Sequence, residues 1–354
     1  MSAPSRGPSR SRALRTLLGI GVTVATLALA VRDVDYGTLL RDLGRANLPL
    51  LIGLSVPAHV LMLWVRALRW RYLTDAIEPI ERGALFRATS VGALANNVFP
   101  LRIGEVVRAY YLGRETQAGR AALFGTIVLE RGIDGLAVLM LALAIFGARG
   151  RADSSALAVG LPLLAIGLLP LVAMVWLRLA PEQVVRLTRG VLAIVAAGRG
   201  AASAEYVIRR VADGLGSLQG GRHLWWVAWH SVWIWTVLGI APFVVGIWAL
   251  GLDLGGLGRD LQAGFVTLAA VGIAVALPSA PGFLGPYHLA AREALRRFGV
   301  SEEVALAVGT LSHAIFWLTT SAVGLAVLRF RGTRLDELAQ GAADEDQVRS
   351  EDRR

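Results

Sequence analysis

The sequence contains no cysteine and no lysine. The lack of cysteine excludes disulfide bonds, iron–sulfur clusters and thiol catalysis, although it leaves the redox compartment open. All 36 basic residues are therefore arginine, which indicates a coding bias as much as a chemical demand. The P-loop, HExxH, GxSxG and SxxK patterns are also missing. The chain is therefore not expected to be an ATP-driven pump or a hydrolase.

Apolar residues are abundant instead. They make up 55% of the chain, and the mean hydropathy is +0.56. Runs of about twenty apolar residues are long enough to span the hydrocarbon core of a bilayer. Six such runs are predicted, at about 14–31, 47–65, 121–147, 155–177, 223–250 and 303–328. The sequence therefore predicts an all-α polytopic membrane protein with about six full transmembrane helices and no additional soluble catalytic domain.

The distribution of arginine indicates the orientation in the membrane. Arginines are more frequent in the N-terminal tail and in 66–82, 99–120 and 178–222 than in the alternate loops. By the positive-inside rule both termini are cytoplasmic, and the protein belongs in the cytoplasmic (inner) membrane of the cell. The net charge of +10 is assigned to this bias and to anionic headgroups. Nucleic acid is not an expected partner, because no recognition motif is present.

Three segments describe the expected domain organisation. Residues 1–13 form a disordered basic tail, 14–330 form the transmembrane domain, and 331–354 form a second disordered tail, both tails being cytoplasmic. Within the domain, residues 178–222 are polar and are expected to lie along the cytoplasmic interface as an amphipathic segment. The stretch 28–30 resembles a signal peptidase site, but we expect the first span to be retained.

Two stretches do not fit simple spans. Residues 83–112 and 262–298 each begin apolar, are interrupted by a cluster of proline and glycine, and resume as an amphipathic segment. This pattern predicts two broken or re-entrant helices. Because the first is entered from the arginine-rich side and the second from the arginine-poor side, the two halves would be inverted repeats, as in secondary transporters. The predicted hinges are Pro100, Gly104, Pro278, Pro281 and Gly282.

The stretch LERGID, residues 129–134, places three charges near the middle of one span. An unpaired charge at the bilayer centre costs about 2.5–3.5 kcal/mol on insertion scales, so these groups must face protein or water. Glu130 and Asp134 share a helix face, whereas Arg131 is rotated by about 100°. We expect the two acids to pair with arginines elsewhere. The alternative is a buried ion network that only fixes helix packing.

The first break is followed by charged residues at regular spacing. Arg102, Glu105 and Arg108 are three apart and fall on one side of a helix that begins after the break. Such a helix presents its N-terminal amides and two guanidinium groups to an anion such as a phosphate. Arg102 and Arg108 are also the expected partners of the LERGID acids. The alternative is an interfacial helix with snorkelling arginines. Asn96 and Asn97 either satisfy backbone groups freed at the break or contact a lipid headgroup.

The second break has Tyr287, His288 and Arg292 as its polar residues, and headgroup contact is one local reason for them. The stretch RALRWRYL, residues 66–73, closes the second span and is interpreted as a topological anchor. No pair among the five histidines has metal-ligand spacing. We therefore predict no metal and no cofactor.

Taken together, these motifs resemble one known family. RALRWRYL, NNVFPLRIGEVVRAYYL, VLERGIDGL and LPSAPGFLGPYH, in this order, are similar to the lysylphosphatidylglycerol synthase transmembrane-region family, also called flippase-like or UPF0104 proteins. The resemblance covers residues 14 to 330. It implies a lipid flippase region, which in larger members moves aminoacylated phosphatidylglycerol between leaflets and is fused to a soluble aminoacyltransferase. Only a short tail follows residue 330, so the synthase activity is expected to be absent. Related regions also accompany glycolipid and polyprenyl-linked pathways.

The sequence leaves three functions open. The first is a translocator of an anionic, aminoacylated or polyprenyl-linked lipid, in which arginines hold the phosphate and the LERGID acids balance charge or couple protons. The second is a membrane-embedded transferase on a lipid phosphate or polyprenyl carrier, with Glu130 or Asp134 as the base. The third is a non-transporting scaffold for an envelope-synthesis enzyme. The residues expected to contact the headgroup or serve transport are Asn96, Asn97, Arg102, Glu105, Arg108, Glu130, Arg131, Asp134, Tyr287, His288 and Arg292. The expected partners are a phospholipid or polyprenyl lipid, a separate lipid-modifying or glycosyl-transferring enzyme, and a second copy of the chain.

Overall fold

A computed structural model describes residues 10–75, 77–99, 103–147, 176, 179–196, 205, 208–209, 221–275, 279–338 and 340–341. The described residues form helices and contain no strand, as predicted. In chain order the helices are α1 (Arg10–Val31), α2 (Tyr36–Arg45), α3 (Leu48–Thr74), α4 (Arg82–Val98), α5 (Gly104–Glu115), α6 (Arg120–Gly147), α7 (Pro181–Ala196), α8 (Gly221–Val232), α9 (Ala241–Ala249), α10 (Leu257–Ala274), α11 (Pro286–Arg296) and α12 (Glu302–Arg331). A π-helix, Trp233–Leu238, continues α8. A short 3-10 turn, Pro281–Phe283, precedes α11.

Within the described parts of the chain, three helical segments are long and apolar enough to cross a bilayer. These are Leu48–Thr74, Arg222–Ala249 and Glu302–Arg331. A fourth crossing results if α1 and α2, which meet at 87°, count as one broken span. The predicted span at 155–177 lies almost wholly outside the described residues. The chain is a polytopic membrane protein, as predicted, and the number of six full spans stays a prediction.

The first broken element is a helical hairpin. α5 runs antiparallel to α4, with Gly104 beside Asn96 and Arg108 beside Gly92. A Cβ atom on Gly104 would overlap the carbonyl oxygen of Gly92, so the two helices can approach this closely only because the residue is glycine. Gly104 thus serves as a packing position at the start of α5. Of the predicted hinges, Pro100 lies outside the described residues.

The second broken element is also a helical hairpin, formed by α10 and α11. Ala263 lies in one buried apolar cluster with Leu295, near the end of α11, and Val271 lies in another with Tyr287, near the start of α11. This pairing of early with late residues shows that the two helices are antiparallel. An apolar helix followed by a shorter amphipathic helix is therefore common to both hairpins.

The turn of the second hairpin depends on glycine. Gly282 has a φ of +72°, a region that other residues rarely adopt. A Cβ atom there would lie 3.0 Å from the indole ring of Trp317, so the space is also restricted. Pro281 begins the 3-10 turn directly before this glycine. The remaining predicted hinge, Pro278, lies outside the described residues.

The two halves are inverted repeats, as predicted. Each hairpin is followed by a long helix, α6 or α12, that runs antiparallel to the second arm of its hairpin. Between the halves, α4 and α12 are antiparallel, because Asn97 contacts Thr320 while Leu94 contacts Gly324. The second half therefore points the opposite way from the first. The first arm of each hairpin packs on the long helix of the other half, α4 on α12 and α10 on α6.

The segment after α12 is packed as far as the structure describes it. Leu338 is fully buried in the same apolar cluster as residues of α3, α4 and α5. Gly341 lies against the ring of Tyr110 on α5. The described residues of this segment thus lie against the first hairpin, and the disordered tail from residue 331 stays a prediction. The other domain boundaries stay predictions.

Candidate functional site

The LERGID acids lie where α6 meets α3 and α5. Glu130 is fully buried and Asp134 is nearly so. They are one turn apart, so both carboxylates project from the same face of α6. Both therefore face protein in the middle of a 28-residue helix.

Two arginines of α3 are partners of these acids. Arg69 Nη1 donates to Asp134 Oδ1 at 2.8 Å, and Arg69 Nη2 lies 3.1 Å from Glu130 Oε1. Arg66 Nη1 lies 3.4 Å from Asp134 Oδ2. The interpretation of RALRWRYL as a topological anchor is wrong for these two residues, since the Arg69 side chain has no exposed surface. The sequence carried one usable signal, namely that Arg66 and Arg69 are three apart and share a helix face.

The first hairpin contributes a third arginine. Arg108 Nη1 donates to Glu130 Oε2 at 2.9 Å, which is the pairing expected from the sequence. Its guanidinium carbon lies 3.6 Å from the centroid of the Trp70 ring, a cation–π contact. Trp70 is held in turn by a hydrogen bond from its Nε1 to Thr126 Oγ1 at 2.8 Å. The close approach of α5 to α4 thus carries Arg108 into the protein interior.

The fourth arginine is Arg131 itself. It bends back along α6, and its Nη2 lies 2.8 Å from Glu130 Oε1 and 2.9 Å from Asp134 Oδ2. Its side chain is 35% exposed, more than that of the other three arginines. Arg131 is therefore the member of the group that is most open to an approaching molecule.

We call these six residues, Arg66, Arg69, Arg108, Glu130, Arg131 and Asp134, the arginine cluster. Four guanidinium groups and two carboxylates give it a formal charge of +2. Glu105, one turn before Arg108 on α5, would reduce the local charge to +1. Five guanidinium nitrogens have no hydrogen-bond partner among the described residues, namely Nε and Nη2 of Arg69, Nε and Nη2 of Arg108 and Nε of Arg131. Of these, Arg69 Nη2 still lies 3.1 Å from Glu130 Oε1 as an ion pair. Buried positive charge and unpaired donors are unfavourable by themselves and are stabilised by an anion.

Helix α8 and its π-helical continuation complete the surroundings of the cluster. Ser231 Oγ accepts a hydrogen bond from Arg69 Nη1 at 3.0 Å. Trp235 Nε1 donates to Asp134 Oδ1 at 2.9 Å. Trp235 lies within the π-helix, a conformation often found at functional sites. No local sequence pattern indicated Ser231 or Trp235 as neighbours of the arginine cluster.

The two asparagines before the first break contact protein. Asn96 Oδ1 accepts from the backbone N–H of Gly104 at 2.8 Å and so satisfies an amide at the start of α5. Asn97 Nδ2 donates to Thr320 Oγ1 and to Ser321 Oγ, each at 2.9 Å, and ties α4 to α12. Arg102, the other expected partner of the acids, lies outside the described residues.

The polar residues of the second hairpin form a separate group. Tyr287 stacks on His313 of α12 with ring centroids 4.4 Å apart, and His288 lies 4.9 Å from the same ring. None of their described contacts is with the arginine cluster. His313 was missed in the sequence because it lies within the apolar stretch of α12.

Arg292 has a structural role at the end of α1. Its Nη1 donates to the carbonyl oxygens of Leu29 at 2.6 Å and Ala30 at 3.0 Å. Its Nη2 pairs with Glu302 at the start of α12. A cation that bonds the last carbonyls of a helix is a favourable C-terminal cap. The described contacts of Arg292 therefore account for its charge without a headgroup.

Comparison with known proteins identifies the family to which this chain belongs. The family model for the lysylphosphatidylglycerol synthase TM region matches residues 16–324. The matched range contains both hairpins, the long helix α6, most of α12 and the whole arginine cluster. The chain belongs to this family. In this member of the lysylphosphatidylglycerol synthase TM region family, the arginine cluster joins the first hairpin to α3 and α6.

Two relatives show how far the similarity extends. Glycosyltransferase AglD of Haloferax volcanii is 25% identical over 333 residues, which cover 87% of this chain and 53% of that protein. A UPF0104 membrane protein of Methanothermobacter thermautotrophicus is 30% identical over 126 residues, which cover 35% of this chain and 37% of that protein. The chain thus spans about half the length of the first relative and just over a third of the second. No solved structure matches the chain significantly.

Proposed function

We propose that this protein moves an anionic lipid between the leaflets of the membrane and that the arginine cluster binds the headgroup phosphate. The observation that supports this is the excess of positive charge in the cluster, +2 for its six residues and +1 with Glu105, together with unpaired guanidinium donors. A purely structural ion network needs no excess of positive charge. Guanidinium groups bind phosphate oxygens in a bidentate manner, and they do so more strongly away from water.

The contacts suggest different roles for the four arginines. Arg108 is hydrogen bonded to one acid and keeps two donors unpaired, so it is the best candidate to contact the phosphate. Arg131 is the most exposed and would meet the headgroup first. Arg69 is held by both acids and by Ser231, so it positions the others. Glu130 would have to give up ion pairs to several arginines to accept a proton, which argues for charge balance rather than proton transfer.

A second candidate is suggested by a relative's name. The Haloferax volcanii protein is called a glycosyltransferase, and this chain covers 53% of it. A membrane-embedded transferase acting on a lipid phosphate would use the same cluster to hold its substrate. A polyprenyl phosphate is therefore included among the lipids to be tested.

Leaflet exchange in proteoliposomes tests the proposal. Fluorescent phosphatidylglycerol, phosphatidylethanolamine, polyprenyl phosphate and a phosphate-free diacylglycerol are compared for wild type, Arg108→Gln and Arg87→Gln. Arg87 belongs to the same hairpin and pairs with Glu115 outside the cluster, so it is a matched control. Because hydrogen bonds to charged groups are worth about 1.5–3 kcal/mol, Arg108→Gln is expected to slow exchange of phosphate lipids by about 10- to 100-fold.

Each other result has a distinct meaning. Equal exchange by wild type and Arg108→Gln would contradict phosphate binding at the cluster. If folded wild-type protein exchanges none of the lipids, the proposed translocation is refuted. If such protein forms a modified lipid in detergent, detected by mass spectrometry, the transferase candidate replaces it.

A further inference from the structure

Two buried histidines meet beside the second break and have no part in the proposed phosphate site. The ring centroids of His288 on α11 and His313 on α12 are 4.9 Å apart, and the residues are only 7% and 3% exposed. His288 Nδ1 and His313 Nε2 are buried without a hydrogen-bond partner among the described residues. A neutral imidazole has one donor and one acceptor nitrogen. In the tautomers in which both unpartnered nitrogens carry lone pairs, one added proton supplies the N–H for an N–H···N bond between the two rings.

The surroundings of the pair can stabilise a cation. Tyr287 stacks on His313 at 4.4 Å, and Phe316 lies 6.4 Å from the same ring. An aromatic face attracts a positive charge within about 6 Å, so Tyr287 is the partner of an imidazolium at His313 even without a carboxylate. Phe243 of α9 stacks on the ring of Tyr287, with ring centroids 5.9 Å apart.

The titratable and charged groups nearest the pair come from α3, α11 and α12. His59 of α3 reaches the pair only through Phe316, and its Nδ1 is hydrogen bonded to Ser55 O at 2.7 Å. Arg292 follows His288 by one turn but is engaged by α1 and by Glu302. The contacts from α9 and α10 that surround Tyr287 are apolar. No carboxylate contacts the two rings among the described residues.

The pair occupies the place in the second repeat that the arginine cluster occupies in the first. In each half, a residue early in the second hairpin arm faces the long helix that follows: Arg108 faces Glu130, and His288 faces His313. Glu130 is the eleventh residue of α6 and His313 is the twelfth of α12. The first repeat thus carries permanent charge and the second carries a titratable pair. The ring of His313 donates a hydrogen bond to the backbone carbonyl oxygen of Gly282, which connects this pair directly to the turn of the hairpin.

We propose that His288 and His313 form a site that takes up one proton from water and that this proton is coupled to lipid movement. The coupling rests on the proposed translocation, whereas the proton site itself does not. The proton adds to a free ring nitrogen of one histidine and is shared with the other, so the site gains one positive charge and no other bond breaks. Histidine is the side chain whose charge changes near neutral pH, and buried histidines serve as proton relays in pumps and transporters.

The proton site is tested without any lipid transport. Purified protein with ¹⁵N-labelled histidine is titrated between pH 5 and 8 in detergent, as wild type, His313→Gln, His288→Gln and His59→Gln. In wild type, two of the five histidine signals should shift together. Either His313→Gln or His288→Gln should remove one signal and move the midpoint of the other, whereas His59→Gln, a buried histidine bonded within its own helix, should leave both unchanged. Two signals that stay in the neutral form over the whole range would overturn the proposal.

The coupling is tested in proteoliposomes at a series of pH values. If the protonated form carries out exchange, the wild-type rate should fall by up to about tenfold per pH unit above the midpoint, because the protonated fraction falls at that rate. His313→Gln and His288→Gln should vary by less than about twofold over the same range. Titration without any lipid exchange would leave the proton site standing and refute the proposed function. Titration together with pH-independent exchange would refute the coupling.

Discussion

Glu130→Gln keeps the shape of the side chain and removes the charge that the arginines of the cluster share. In the structure, Glu130 Oε1 lies 2.8 Å from Arg131 and 3.1 Å from Arg69, and Oε2 lies 2.9 Å from Arg108. The variant would leave one carboxylate among four guanidinium groups and raise the formal charge of the cluster from +2 to +3. Glutamine keeps one acceptor oxygen and replaces the other by an NH2 donor, so the variant removes the charge and one acceptor at nearly the same size.

Removing one partner of a buried ion pair costs about 3–5 kcal/mol, because the other charge stays buried without compensation. We expect Glu130→Gln to lower the free energy of unfolding by about this amount. Adding Arg108→Gln returns the cluster to a charge of +2. The double variant should therefore be more stable than the sum of the single variants predicts, by about 0.5–3 kcal/mol.

The assay is denaturant unfolding in detergent micelles, followed by the fluorescence of Trp70 and Trp235, which both contact the cluster. Glu293→Gln is the control, because this half-exposed acid of α11 pairs with Arg292 and Arg296, outside the cluster. Its effect should stay within about 0.5 kcal/mol. A Glu130→Gln protein as stable as wild type, or strictly additive effects in the double variant, would refute the view that the acid holds the arginines in place.

Three further changes test the packing around the site. Gly104→Ala should lower the free energy of unfolding by about 1–3 kcal/mol through overlap with α4. Its control is Gly53→Ala, which faces open space and should leave the free energy of unfolding unchanged or raise it by up to about 1 kcal/mol. Similar effects of the two variants would contradict the close approach of α4 and α5. Asn97→Ala should lose about 1–3 kcal/mol because buried hydroxyl groups of α12 lose their donor, and an unchanged midpoint of thermal unfolding would argue against these bonds. Leu338→Ala should lose about 2–5 kcal/mol, and Leu325→Ala, 56% exposed on α12, is its control; equal losses would show that the segment after α12 is not packed.

The hairpins could be predicted from the sequence because their signals are local. A proline and glycine cluster between an apolar helix and an amphipathic one is enough to indicate a break. The burial of Glu130 and Asp134 also follows from composition, since charges in the middle of an apolar run must face protein or water. The pairing of Arg108 with an acid could be predicted because the arginine follows the break at helical spacing.

The partners of Asp134 could not be predicted in the same way. Arg66 and Arg69 lie at the end of an apolar run beside Trp70, and this pattern is the same for an interfacial anchor as for a buried ion pair. Only the packing of α3 against α6, more than sixty residues away in the chain, distinguishes a buried ion pair from an interfacial anchor. His313 gave no signal at all, because a single histidine in an apolar helix has no pattern before its neighbour from another helix is known.

The geometry of the hairpins explains why the helices break at all. α4 has 17 residues and is about 25 Å long, which is most of the hydrocarbon thickness. A straight continuation would carry Arg108, ten residues further, about 15 Å beyond the end of α4 and out of the hydrocarbon core. The return of α5 instead places Arg108 beside Gly92, six residues before the end of α4 and within reach of Glu130. The second hairpin does the same for His288, which it brings to His313 in the long helix α12. Each break therefore returns a polar side chain to the protein interior, and the inverted order of the repeats supplies one such side chain from each half.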